Sequence, residues 1–225
     1  MRILVVTAVP AERDAVLGGS ADDAGGVDVV AAGVGPAAAA AGTAMALART
    51  AYDLVLSAGI GGGFADVAPV GTLVVADRIV AADLGADSPA GFLSVDALGF
   101  GTSVVTPARP LSGELAKALG AVHGPVLTVS TVTGTAEGAA ALTERHPGAA
   151  AEAMEGFGVA RAASAHGVPV LEIRTISNTI GPRDRDAWRI PAALDALTGA
   201  FTGLARHLRN HGEHRDHRDH LREST

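Results

Sequence analysis

The chain has no cysteine. Disulfide bonds, thiolate nucleophiles and cysteine-ligated metals are therefore excluded. Aromatic residues are scarce, at 3%. The core must be assembled from small aliphatic side chains, which favours closely packed layers of helix on sheet. An excess of positive charge is also missing. The formal net charge of -7 argues against a general nucleic-acid binder, because neutralising phosphates takes a basic face. No unbroken apolar run is long enough to cross a membrane. Residues 29–48 carry no charge, but Gly33, Gly35 and Pro36 interrupt them and alanine dominates, so they read as a soluble strand, loop and helix. The apolar stretch after Met1 is too short for a secretory signal, and Glu12-Arg13-Asp14 follow it closely. These absences predict a cytoplasmic protein with neither a nucleic-acid nor a membrane partner.

What is present suits a single α/β domain. The chain has 225 residues, 48% of them apolar, enough for a large core. Strand signals alternate with helix signals. Strands are predicted at 2–7, 27–32, 53–58, 71–82, 125–131 and 168–173. Helices are predicted at 10–17, 36–50, 112–119 (capped by Ser112), 135–145, 155–166 and 188–208. Gly18 to Gly26, Gly59 to Gly63 and residues 83–111 read as loops. The alternation predicts a three-layer α/β/α sandwich around a central mixed sheet. One domain over 1–209 and an unstructured, charged, His-rich tail over 210–225 complete the expected organisation.

Two short segments carry the strongest chemical signal. Glu152-Ala153-Met154-Glu155-Gly156 opens an Ala-rich helix, and Arg174-Thr175-Ile176-Ser177-Asn178 ends an apolar strand. In an open α/β sheet, ligands bind outside the carboxyl ends of the strands. Asn178 and Glu155 are thus candidates for one crevice. Glu12 follows the first strand within an early helical turn. It reads either as an acid favoured by the helix dipole or as a general base for an attacking water. The run Gly59-Ile60-Gly61-Gly62-Gly63 lets backbone approach a ligand. Gly33-Val34-Gly35-Pro36-Ala37-Ala38 matches a dinucleotide fingerprint and raises a nicotinamide-dependent oxidoreductase as a second reading. Against it, Pro36 has no N–H for a pyrophosphate, and Asp53 lies at the start of its strand where a ribose-binding acid belongs at the end.

Taken in order, these segments resemble the purine nucleoside phosphorylase and methylthioadenosine nucleosidase superfamily. The resemblance extends to about residue 205, and within the superfamily it is strongest to the futalosine hydrolases. It implies that Glu12 activates water and that Gly33-Val34-Gly35 borders the site. It also implies that Gly59, Ile60 and Gly61 contact base and sugar, and that Met154 and Glu155 hold the ribose. Gly134 and Thr135 fall at the purine-stacking segment, Ser177 and Asn178 at the strand end that meets the base, and Trp188 at an aromatic lid. The nucleosidases have Asp where this chain has Asn178. A carboxamide donates to a 6-oxo group and accepts from an N7–H, which points to hypoxanthine as leaving group. No arginine precedes the glycine run in Leu56-Ser57-Ala58-Gly59, so water rather than phosphate is the expected nucleophile. The resemblance therefore implies hydrolysis of a 6-oxopurine nucleoside without metal or cofactor, by a homodimer or higher homo-oligomer. Arg183, Arg185 or Arg189 would meet a carboxylate at the 5′ end of the substrate. A phosphorylase, a methylthioadenosine or adenosylhomocysteine nucleosidase, and a non-catalytic nucleoside- or NAD-binding protein are the alternatives.

Overall fold

The first strand, β1 (Ile3–Thr7), is buried along its whole length. Its side chains alternate between two cores: Leu4 and Val6 join one apolar cluster, and Ile3 and Val5 join the other. A strand apolar on both sides belongs inside a sheet covered by helices on both faces. The computed structural model, which describes residues 1–20 and 26–222 with side chains through 207, has this architecture. Helices α2 (Pro36–Arg49) and α5 (Gly156–Ala165) cover one face. Helices α1 (Pro10–Gly19), α3 (Leu111–Leu119) and α6 (Ile190–Arg222) cover the other. Helix α4 (Ala136–Arg145) closes a third, smaller cluster with Phe64, Leu127 and Ile180.

The remaining strands of the main sheet are β2 (Val27–Ala31), β3 (Leu54–Gly63), β4 (Leu73–Ala81), β7 (Val104–Val105), β8 (Val122–Thr128), β9 (Ala151–Ala153) and β10 (Val170–Thr179). They run in the order β10-β4-β8-β9-β3-β1-β2, with β7 beside β4. Strands β1, β2, β3 and β10 pair in parallel, whereas β4 on β10 and β9 on β3 are antiparallel, so the sheet is mixed. Because β10 pairs with both β3 and β4, the sheet curls back on itself into a ring of β3, β10, β4, β8 and β9. The strand alternation in the sequence does not reveal that closure.

Small side chains let the layers approach. A Cβ on Gly158 would overlap the Pro36 carbonyl, so this glycine lets α5 lie against the start of α2.

Several boundaries differ from the sequence reading. Gly59–Gly63 is not a loop but the second half of β3, which pairs with β10 along its length. Strand β10 likewise continues six residues past Ile173 to Thr179. Both extensions are made by cross-strand partners that local composition does not display. The span 83–111 holds a hairpin, β5 (Gly85–Ser88) with β6 (Gly91–Ser94), as well as β7. Ser112 lies inside α3, whose cap position is Pro110. Trp188 precedes α6, which continues to Arg222 beyond its predicted end. Residues 21–25 of the predicted 18–26 loop, the side chains of the His-rich tail and residues 223–225 lie outside the described residues.

Candidate active site

The carboxyl ends of β1, β3 and β10 surround a cavity of about 340 Å³, within the range of small-molecule sites. Its walls bring together Glu12, Ile60, Gly61, Met154, Glu155, Ser177, Asn178 and Trp188.

Glu12 is 4% exposed and stands in the first turn of α1. Its Oε2 accepts from the Ala8 and Val9 amides at 3.0 and 3.3 Å, and its Oε1 accepts from the Ile60 amide at 2.9 Å. It is thus both a helix-start acid and a cavity wall. A carboxylate offers about four acceptor positions. Three are taken by backbone, which leaves one, on Oε1, for a ligand in the cavity that Glu12 lines.

Glu155 is fixed by a glycine that sequence reading placed near the site. Gly35, at φ 92°, adopts a backbone open chiefly to glycine and donates its amide to Glu155 Oε1 at 3.1 Å. The start of α2, where a dinucleotide would place its pyrophosphate, therefore receives this chain's own carboxylate. The Met154 amide donates to Oε2 at 3.3 Å.

Beneath these acids lies Arg174, 1% exposed. Its Nε donates to Glu172 Oε1 at 2.9 Å and its Nη2 to Ser57 Oγ at 3.0 Å. Its Nη1 lies 3.5 Å from both Glu155 Oε2 and the Ile60 carbonyl. A cation thus does reach the glycine run, from β10 rather than from the preceding residues, but its donors are committed. Burial disfavours its charge, yet Glu172, Glu155 and Glu12 together raise its pKa. Glu172 is fully buried, and burial pushes its carboxyl up against the downward pull of Arg174. Among the described residues its Oε2 has no hydrogen-bond partner.

Gly59 does not line the cavity. A Cβ there would lie 2.5 Å from Glu12 Oε1 and 2.7 Å from Arg174 Nη1, so its role is to leave room for that ion cluster. Gly134 and Thr135 also stand back from the cavity. The Thr135 hydroxyl accepts from the Gly138 amide at 3.0 Å to cap α4, and the Gly134 carbonyl accepts from the Arg183 amide at 3.2 Å. Val132 and Thr133 take their place in the wall.

Asn178 is aimed by a bulge. The β10–β3 register shifts between Ile176 and Asn178, and such an extra residue re-aims the side chains beside it. The Ser177 hydroxyl lies 2.9 Å from Asn178 Oδ1 and 3.2 Å from the Gly61 carbonyl, and Asn178 Nδ2 donates to the Thr179 carbonyl at 3.2 Å. One N–H of the amide stays free for a ligand. Trp188 closes the rim, with the guanidiniums of Arg183 and Arg185 at 5.2 and 5.9 Å from its ring centre. Of the three arginines considered for a substrate carboxylate, Arg183 lines the cavity. Arg189 spends its Nη1 on the Asp186 and Trp188 carbonyls.

Among the wall residues that the sequence reading missed, Glu152 carries a charge. Glu152, 5% exposed, accepts from the Thr133 amide at 2.9 Å and from the Thr133 hydroxyl. Burial pushes its carboxyl up, and the Thr133 bonds pull the other way. The available signal was a charged residue inside an otherwise apolar Ala149-Ala150-Ala151-Glu152-Ala153 run.

A family model for the phosphorylase superfamily matches residues 9–208. The chain belongs to that superfamily. Within it, a futalosine hydrolase of Streptomyces coelicolor is 66% identical over 163 residues, covering 72% of this chain and 69% of the relative. A futalosine hydrolase of Acidothermus cellulolyticus is 46% identical, covering 93% of this chain and 92% of the relative. Solved structures share the fold. A methylthioadenosine/adenosylhomocysteine nucleosidase of S. pneumoniae, bound to a transition-state inhibitor, superposes with a TM-score of 0.79 at 19% identity, covering 92% of this chain and 100% of that one. The corresponding enzyme of Colwellia psychrerythraea, in complex with adenine, gives 0.75 at 23% identity, covering 91% and 95%.

Proposed function

We propose that this phosphorylase-superfamily protein hydrolyses the N-glycosidic bond of futalosine, releasing hypoxanthine and dehypoxanthine futalosine in menaquinone biosynthesis. The observation that carries the reading is the meeting of Glu12, Glu155 and Asn178 in one cavity, in a chain 66% identical to a futalosine hydrolase.

The chemistry follows from the free capacity of each group. Glu12 Oε1 takes a proton from a water, which attacks the anomeric carbon as the bond to the base breaks through an oxocarbenium-like state. Glu155 Oε1 accepts from a ribose hydroxyl, and Met154 lies under the sugar. Asn178 donates its free N–H to the developing charge on the 6-oxopurine, which departs as an anion and takes up a proton from solvent as Glu12 releases the one it gained. Arg183 meets the carboxylate at the 5′ end, under Trp188.

Water is favoured over phosphate because Glu12, Glu152 and Glu155 all line the cavity and would repel an anion. Each nitrogen of the guanidinium nearest Gly59 already has a protein partner, in Glu172, Ser57, Glu155 or the Ile60 carbonyl, and phosphate needs free charge-assisted donors. A cytoplasmic homo-oligomer completes the proposal, the 85–94 hairpin and the exposed Phe100 offering a face to a second copy. A monomeric mass by light scattering would remove that part.

The test is incubation with futalosine and with inosine, with and without phosphate, following free hypoxanthine by chromatography. Release from futalosine without phosphate is expected. Release only with phosphate would refute the hydrolase.

A further inference from the structure

Strand pairing sets Glu152 and Asn178 on either side of one glycine. Glu152 pairs with Gly62 across the β9–β3 boundary, and Asn178 pairs with the same Gly62 across β3–β10. Residues in lateral register share a face of a sheet, and adjacent strands lie about 4.8 Å apart. The two backbone positions are therefore separated by roughly two strand spacings, about 10 Å, with no side chain on the strand between them. Both line the cavity. Ile180, whose Cγ1 lies 2.8 Å from where a Gly62 Cβ would stand, covers that glycine, so the slot has an apolar floor with a carboxamide at one side and a carboxylate at the other.

The Glu152 carboxylate is buried, and its described partners are the amide and hydroxyl of one residue, Thr133. Burying a carboxylate is costly unless donors surround it, and each of its oxygens keeps acceptor capacity. Such a group is complete when a ligand brings a donor. The 6-oxopurine edge carries an N1–H donor beside its oxygen. A 6-aminopurine carries an acceptor at N1.

Building on the nucleosidase reading, we infer that Glu152 is a specificity-determining residue whose carboxylate accepts the N1–H of a 6-oxopurine while Asn178 reads the O6 and N7 side. Thr133 is its positioning residue: both donors come from one side and turn the free lone pairs towards the slot. Discrimination against adenine thus has two sources. The carboxamide of Asn178 does not supply a proton to N7, and the carboxylate of Glu152 faces the lone pair of an adenine N1.

The inference is tested with Glu152→Gln. Its carboxamide oxygen keeps the bond from the Thr133 amide, its NH2 donates to the Thr133 hydroxyl where the carboxylate had accepted, and its second N–H is offered to an adenine N1. The ratio of kcat/KM for inosine over adenosine is measured for both forms. A fall in that ratio of roughly 10- to 100-fold is expected for loss of one hydrogen bond to a charged group, and an unchanged ratio would overturn the assignment. A second measurement needs neither turnover nor a folded variant. Calorimetric binding of free hypoxanthine and 1-methylhypoxanthine to the wild-type chain should favour hypoxanthine at least about tenfold. Equal affinities would overturn the N1 contact. Absence of hypoxanthine release from both futalosine and inosine would instead sink the proposed hydrolase, and the binding comparison would still decide the role of Glu152.

Discussion

Replacing Arg174 by methionine removes the one cation from a cluster that otherwise holds Glu172, Glu155 and Glu12. Glu172 has no exposed surface, and Oε1, its hydrogen-bonded oxygen, is bonded to Arg174 Nε. Methionine matches the length of the arginine stem, so the loss is of charge and donors rather than volume. Breaking a buried ion pair from one side costs about 3–5 kcal/mol, because the remaining charge is left uncompensated. For a domain of this size each kcal/mol shifts the melting temperature by about 2–4 °C, so a drop of about 6–20 °C is expected. Urea unfolding followed by circular dichroism would read the same loss as a lower midpoint at constant slope. The decisive arm is the double variant Glu172→Leu with Arg174→Met. Replacing both partners by apolar groups of similar volume is often neutral or stabilising, so most of the lost stability should return. Activity should not return, because Glu155 has still lost its contact to Nη1. A single variant that costs under about 1 kcal/mol, or a double variant no more stable than the single, would refute the view of Arg174 as a counter-ion required by Glu172.

Glu12→Gln should slow hypoxanthine release by roughly 10²–10⁴-fold in steady-state assays, and an unchanged rate would remove it as the base. Asn178→Asp should lose preference for hypoxanthine over adenine as leaving group, read by chromatography of the released base. Gly156→Ala puts a Cβ against both Glu172 oxygens; a loss of about 1–3 kcal/mol in urea unfolding is expected for such overpacking, and a neutral effect would contradict the close approach. His146 has its pKa lowered from 6.5, by burial first and then by the charges of Arg145 and Arg78. A depressed histidine binds fewer protons folded than unfolded, so its contribution is intact above 6.5 and is lost as pH falls through the lower, folded value. The melting temperature should decline over that acid range, and less so in His146→Asn.

The layers of the fold were legible because both faces of β1 and of the first half of β3 are apolar and the helices between the strands are regular. The ring closure was not, because it depends on β10 pairing with β4 as well as β3, and pairing partners leave no local trace. The same reason hid the true nature of Gly59–Gly63. A run of glycines reads as a turn from composition alone, yet here each glycine yields to a neighbour: Gly59 to Glu12 and Arg174, Gly61 to the Glu152 carbonyl, Gly62 to Ile180. Glu12, Glu155 and Asn178 could be named because they sit at a helix start or near a strand end, whereas Met154, Ser177 and Trp188 were named through the resemblance to the superfamily. Glu152 could not, since β9 is three residues long and falls below the length at which alternation is readable.

The cluster also accounts for how a small cavity tolerates so many acids. Glu12 is held by three backbone amides, Glu155 by two amides and Arg174, and Glu152 by both donors of Thr133. Each carboxylate is therefore stabilised by the protein's own donors and keeps acceptor capacity in a cavity that it lines. A neutral water or a ribose hydroxyl can bring a donor to that capacity, whereas a phosphate brings only further acceptors and charge. The buried Glu172 matters in the same way from below. It accepts from the Nε of Arg174 and offsets the positive charge nearest Glu12 and Glu155. The choice of water thus rests less on any single residue than on where the donors have been spent.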